Sequence, residues 1–298
     1  MDIRNIREVP PVVENEAYLE AIYNLEAELL QGYSGKIEKD LPLPPIDINT
    51  FKGQQILKDF SARVIEETAE GYESTSAVID MYQDHGFNNQ TFSDSEWQMV
   101  ANNLQNSNEE QADAMAFYMA LLMYANLEIK DIYDYANTKL KDLVARIDIG
   151  KVENMLDLML LGSYAFDLEE SEDKEFGDMG CLYDLLSEAN IEDMGLEVDH
   201  VNSYIPAFRF SNKDFHRYED HMLWRVAYHI NISRNFLKNK PWKQSQELTD
   251  ITRYSEQLAL GLIRYLGYLY TMGFTPDTLY TLCFKKNRVN HFRQNSGY

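Results

Sequence analysis

At 298 residues, with 45% apolar residues and 8 prolines, the chain is long enough to bury a sizeable core as one large domain or two. A net charge of −22 argues against nucleic acid as a general partner. Cys181 and Cys283 lack Cys-x-x-Cys spacing and read as reduced thiols. The start of the chain shows no signal-peptide pattern and the apolar run 114–124 is too short to span a bilayer, so a soluble, cytoplasmic protein without membrane contact is expected.

Residues 1–15, with Pro10-Pro11, read as an extended lead-in. Leu19, Ile22, Tyr23, Leu25 and Leu29 then repeat at helical spacing over 16–32, and Pro42, Pro44 and Pro45 mark a loop over 41–48. Asn49 or Thr50 suits the N-cap of a helix reaching Met81. Residues 84–108 are polar around a short helical piece at 94–104; helices are expected over 109–127, 129–146 and 151–166. The segment 167–203 reads as an insertion, since 13 acids and one lysine lie between Asp167 and Asp199. Helices follow over 213–239, 246–272 and, entered through Pro276, 275–287. No stretch sustains a period of two, so the fold class is all-α: a lead-in over 1–48 and one helical domain over 49–298. No Gly-rich phosphate loop is present, which argues against Rossmann and P-loop chemistry.

Two motifs within this frame carry acids three residues apart, Glu67 with Glu70 and Glu110 with Asp113. On a helix, i and i+3 share a face. Glu-x-x-Glu is ordinarily a solvated face, but residues 114–124 after Asp113 are almost wholly apolar, which places the second pair at the mouth of a buried helix. Four converging carboxylates repel one another unless cations neutralise them. Hard oxygen donors in that number suit Mg²⁺, with Mn²⁺ as the alternative.

From Arg225 onward the balance reverses, with 11 Lys or Arg against four acids. The chain ends Lys285-Lys286-Asn287-Arg288-Val289-Asn290-His291-Phe292-Arg293-Gln294-Asn295-Ser296-Gly297-Tyr298, a dense set of donors suited to phosphate oxygens and a base edge. The residues Lys286-Asn287, Asn290, Arg293-Gln294 and Gly297-Tyr298 resemble the last signature motif of the dimeric all-α dUTPases, within the wider all-α NTP pyrophosphohydrolases. The two acidic pairs are similar to that superfamily's E-x-x-E and E-x-x-D, and the basic run 234–244 to a further motif of phage-type members. Two departures stand out. Residues 71–109 make a wider gap between the acidic pairs than the family usually has, and Asn295 stands where the family has Asp.

The resemblance implies hydrolysis of dUTP to dUMP and pyrophosphate, two or three Mg²⁺ held by Glu67, Glu70, Glu110 and Asp113, and a homodimer. Glu67 is the expected general base. Lys286, Arg293 and Tyr298 are expected on the phosphates, with Lys238, Lys240 and Lys243 as further candidates. Asn290 is expected on the pyrimidine edge, and Gln54 and Gln55 are further base candidates. Phe117, Tyr118 or Trp242 would pack against the sugar. His216, His221 and His229 lack an i, i+4 zinc spacing and read as structural. Two alternatives stay open: the same enzyme class acting on dCTP or a modified nucleotide, and a binding protein acting through the acidic segment 167–203.

Overall fold

The structure, a computed structural model, describes residues 3, 6–12, 17–33, 41–85, 92–170, 180–181, 209–210, 215–237 and 248–296, with the backbone alone at 164–170, 180–181, 209–210 and 215–221. The described chain is all-α apart from a two-residue antiparallel pairing of Gly180 and Cys181 with Phe210 and Arg209. Lys238, Lys240, Trp242, Lys243, Tyr298 and most of 167–203 lie outside the described residues, as do the side chains of His216, His221 and Cys181.

Helix α1 spans Tyr18–Tyr33 and α2 spans Phe51–Asp84. The start of α2 is fixed by Thr50, whose hydroxyl accepts from the Gly53 amide at 3.0 Å. Helix α3 runs unbroken from Asp94 to Tyr124. The expectation of a short piece at 94–104 and a separate helix from 109 is therefore corrected. Ser93 and Glu96 close a capping box at the start of α3. The polar run after Leu104 does not end the helix: Gln105 bonds Glu109 one turn on, and Asn106 and Ser107 pair with α2 across the contact. Thr75 Oγ1 lies 2.8 Å from Ser107 Oγ, and Asn106 Nδ2 donates to Ser74 Oγ at 2.8 Å.

The expected helix over 129–146 is two, α4 (Ile129–Lys139) and α5 (Lys141–Arg146), parted at Leu140 where the backbone leaves helical angles. Helix α6 (Met155–Glu170) begins later than expected because Asn154 and Asp157 cap each other. Asn154 Oδ1 accepts from the Asp157 amide at 3.0 Å, and Asp157 Oδ2 accepts from the Asn154 amide at 3.2 Å. Helices α7 (Phe215–Phe236) and α8 (Ile251–Thr271) fall close to expectation. The last helix, α9, runs Pro276–Ser296, nine residues beyond its expected end. The basic C-terminal stretch is thus helical and packed, not a tail: Lys286, Asn287 and Val289 are all buried.

Antiparallel α2 and α3 form the central pair; α1 and α9 pack on each other and on α3, while α8 packs between α6 and α7. Helices α6 and α8 cross where Gly162 meets Gly267. A Cβ on Gly162 would run into the Ile263 carbonyl oxygen and the Gly267 amide, so this close crossing admits only glycine. The core is aliphatic and tyrosine-rich, with Leu57, Val64, Met115, Tyr118, Leu122, Leu262, Tyr265 and Leu269 fully enclosed. No helix among the described residues is long and apolar enough to cross a membrane.

Candidate functional site

The acids meet on the long seam between α2 and α3. Glu67 and Glu70 share a face of α2, one turn apart. Because the helices are antiparallel, Glu110 of α3 comes alongside both. One carboxyl oxygen from each of Glu67, Glu70 and Glu110 lies within 4.8 Å of the others. Three carboxylates that close, two from α2 and one from α3, are destabilising unless protons or cations intervene. Protons do so here. Burial, then Asp113, Glu110 and Glu70, pushes the Glu67 carboxyl up to about 8, and Glu67 donates a hydrogen bond to Glu110. Burial also raises Glu110, against the pull of that hydrogen bond and of Lys286.

Asp113 sits one turn beyond Glu110 and is not part of the three-carboxylate group. Its partner is Lys286 from α9, whose Nζ lies 2.9 Å from Asp113 Oδ2 and 3.5 Å from Glu109 Oε2. Only 9% of the Lys286 side chain is exposed. Burial works against its charge, but Asp113, Glu109 and Glu110 outweigh burial and hold the ammonium above its ordinary value. Burial raises Asp113 despite Lys286 and the nearby Arg293, which is exposed on the same helix. The sequence motif that holds these cations therefore comes to the acids, as Lys286 on Asp113 and Arg293 close by.

Other residues of that motif serve a different end. Asn287 Nδ2 donates to the Leu25 carbonyl at 2.8 Å, and Gln294 Nε2 to the Leu29 carbonyl at 3.1 Å, so both amides clasp α9 to α1. Asn290, on the same side of α9, lines a narrow cleft with Glu26, Cys283, Lys286 and Asn287. Cys283 is a free, buried thiol pushed up by its burial.

The two glutamines lie apart from the acids. At 1.5 Å per residue, Gln54 is about 20 Å along α2 from Glu67. It is buried, and its Nε2 donates to the Ile48 carbonyl at 2.9 Å and to Thr249 Oγ1 at 3.0 Å, a tie between chain segments. Gln55 is exposed on the neighbouring face. Of the sugar-packing candidates, Tyr118 points into the core and donates to the Leu258 carbonyl at 2.9 Å, while Phe117 is half-buried one turn past Asp113. His229 Nδ1 lies 2.9 Å from Gln257 Oε1, a contact between α7 and α8.

Two acids beside the site escaped the sequence reading. Glu26 of α1 is 6% exposed, and burial, helped by Asp113, drives its carboxyl well up. The signal was present: Glu26 stands between Ile22 and Leu29 in the apolar stripe of α1, where an acid is out of place. Glu109, beside Lys286, is the other.

The oxygen-only donor set, its spacing and the raised Glu67 carboxyl fit a hard divalent cation, which relieves the repulsion between carboxylates. An apolar hollow of about 280 Å³ between α2 and α7, walled by Ile65, Tyr72, Leu223 and Trp224, has no charged lining and does not suit a phosphate. Searches of family models, curated proteins and solved structures match nothing to this chain.

Proposed function

We propose that the protein is a divalent-cation-dependent pyrophosphohydrolase of deoxynucleoside triphosphates, with dUTP the foremost substrate. The observation that carries the reading is the approach of Glu67, Glu70 and Glu110 to within 4.8 Å of one another, beside a lysine supplied by the C-terminal motif. The resemblance of that motif to the all-α dUTPases supports the substrate class and a homodimer.

In this reading Glu67, Glu70, Glu110 and Asp113 would hold Mg²⁺, which would supply neutralisation of phosphate oxygens and acidification of a water. Glu67, in its ionised form, would take a proton from the attacking water as the oxygen bonds to the α-phosphorus. The bond from the α-phosphorus to the bridging oxygen breaks, and pyrophosphate leaves with the electron pair. Lys286 is committed to Asp113 and Glu109 in the structure. With Asp113 as a metal ligand, the Lys286 ammonium would be available to a phosphate oxygen. Arg293, Lys238, Lys240, Lys243 and Tyr298 are assigned to the phosphates, and Asn290 to the base edge.

The test is a panel of dUTP, dCTP, dTTP, dATP, dGTP and UTP with Mg²⁺, with products resolved by phosphate number. Turnover of dUTP alone to dUMP and pyrophosphate supports the reading. Equal turnover of dCTP widens the substrate to both pyrimidines. No turnover of any of them defeats the enzyme reading and turns attention to the acidic segment 167–203 as a binding element.

A further inference from the structure

Arg63 stands one turn before Glu67 on the acidic face of α2. Across the seam, Phe117 stands one turn past Asp113 on α3. The two meet, since the Arg63 guanidinium carbon lies 5.4 Å from the Phe117 ring centre and 5.6 Å from that of Phe60. The rings are themselves in edge contact at 6.1 Å. Arg63 Nε is held by Asp59 Oδ2 at 3.1 Å, an i, i+4 pair on the same helix. The two Nη groups make no hydrogen bond or ion pair among the described residues, and the side chain is 39% exposed.

This placement is unusual for a cation next to so many acids. Lys286 goes directly to the carboxylates, whereas Arg63 stays outside them on an aromatic seat. The seat restrains the stem and the plane of the guanidinium in advance, so less side-chain freedom is lost when it binds. The outer edge of the guanidinium, with its paired N–H donors, is the part that matches phosphate oxygens two at a time. A triphosphate brings about four negative charges at neutral pH to a site already crowded with carboxyl groups, and Lys286 is taken up by two of those.

We propose that Arg63 is the anion-binding arm of the cleft on its α2 side, taking phosphate oxygens of the substrate and of the pyrophosphate product. The proposal rests on the pyrophosphohydrolase reading and adds to it a residue that no motif singled out. The alternative is an arginine that merely ties down the surface of the seam.

The experiment is calorimetric titration of inorganic pyrophosphate, in excess Mg²⁺, into the full chain and into Arg63→Met, Arg63→Lys and Phe117→Leu. Methionine keeps the apolar stem on the rings and removes the fork. Binding should weaken about tenfold or more in Arg63→Met, and be partly restored in Arg63→Lys. It should weaken about two- to threefold in Phe117→Leu, which keeps the charge and loses its seat. The rise in Tm caused by Mg²⁺ without pyrophosphate should be the same in all four proteins. Pyrophosphate binding by Arg63→Met within twofold of the wild type, with the Mg²⁺ response intact, overturns the assignment of Arg63 alone. A wild-type chain that neither gains stability from Mg²⁺ nor binds pyrophosphate overturns both the assignment and the reading beneath it.

Discussion

Two polar stretches lie on the one α2–α3 seam and behave in opposite ways. Around Ser74 and Thr75, two hydroxyls of α2 pair across the seam with the Asn106 amide and the Ser107 hydroxyl. About two turns along α2, Glu67 and Glu70 meet Glu110, and the seam is left with acceptors facing acceptors. In the first, the protein itself supplies partners for Thr75, Asn106 and Ser107. In the second, burial and the neighbouring acids push the Glu67 carboxyl up, and Lys286 reaches in from α9 to Asp113 and Glu109. Polar residues buried for structure are satisfied where they sit, whereas polar residues held in mutual opposition mark a place kept for something else.

The largest expected effect breaks the second stretch. Glu70→Gln or Asp113→Asn should lower kcat by on the order of 10²–10³-fold. Both variants should fold; without Mg²⁺, Glu70→Gln should melt no lower than the wild type because it removes a like-charge contact, whereas Asp113→Asn should melt lower because it takes the nearer partner from the buried Lys286 ammonium. Turnover of dUTP by the double variant at the wild-type rate would end the argument that these acids hold a catalytic cation.

Next in size is a pH effect. The Glu67 carboxyl is raised from 4.5 to about 8 in the folded chain. Its folded-state value lies above the unfolded one, so its stabilising contribution is complete below about pH 4.5. That contribution is lost as pH rises through about 8. In EDTA, the wild-type Tm should therefore fall more steeply between pH 5 and 8 than that of Glu67→Gln, by about 2 °C or more. Mg²⁺ should flatten the wild-type curve, since a cation replaces the proton, and its effect should grow with pH. Parallel curves for the two proteins in EDTA would show that the Glu67 proton is not shared as the geometry implies.

The contrast along the seam also explains what the sequence disclosed and what it hid. The acidic pairs were legible because a spacing of three on an apolar-periodic run needs only one helix to interpret. The continuity of α3 was not legible. Gln105-Asn106-Ser107-Asn108 looks like a break until Ser74 and Thr75 are known to lie opposite, and that pairing joins residues 32 apart in the chain. The capping box of Ser93 with Glu96 was a readable start signal for a long helix. The helical course of 288–296, beyond the expected end of the last helix, was hidden for a similar reason. Its polar residues read as ligand donors, yet Gln294, like Asn287, is spent on a carbonyl of α1 more than 260 residues away. Arg63 was in plain view, but its standing depends on the antiparallel alignment that brings Phe117 to it.

A smaller effect tests the first stretch. Thr75→Val removes a hydroxyl that bonds the Gly71 carbonyl at 3.1 Å and Ser107 Oγ at 2.8 Å, both buried. The loss should be about 1–2 kcal/mol, or roughly 2–6 °C in Tm. The increment in Tm from Mg²⁺ should be unchanged. An altered Mg²⁺ increment would mean that the two stretches are one coupled network and the contrast is false.

The smallest effect sharpens the contrast inside the C-terminal motif, where the two behaviours stand side by side on one helix. Asn287 is a neutral amide with its acceptor already in place, the Leu25 carbonyl at 2.8 Å. Lys286, its neighbour, is a cation among acids. By the logic of the seam, Asn287 belongs with Thr75 and not with Glu67. Asn287→Ala should cost about 1 kcal/mol of stability. Its KM for dUTP should stay within about twofold of the wild type, because one lost clasp leaves Lys286 buried against Asp113 on the same helix. Asn290→Ala should do the reverse, leaving Tm nearly unmoved and raising KM. If Asn287→Ala raises KM while Tm holds, the amide reads a ligand, and satisfaction within the protein is no guide to which residues of this motif are structural.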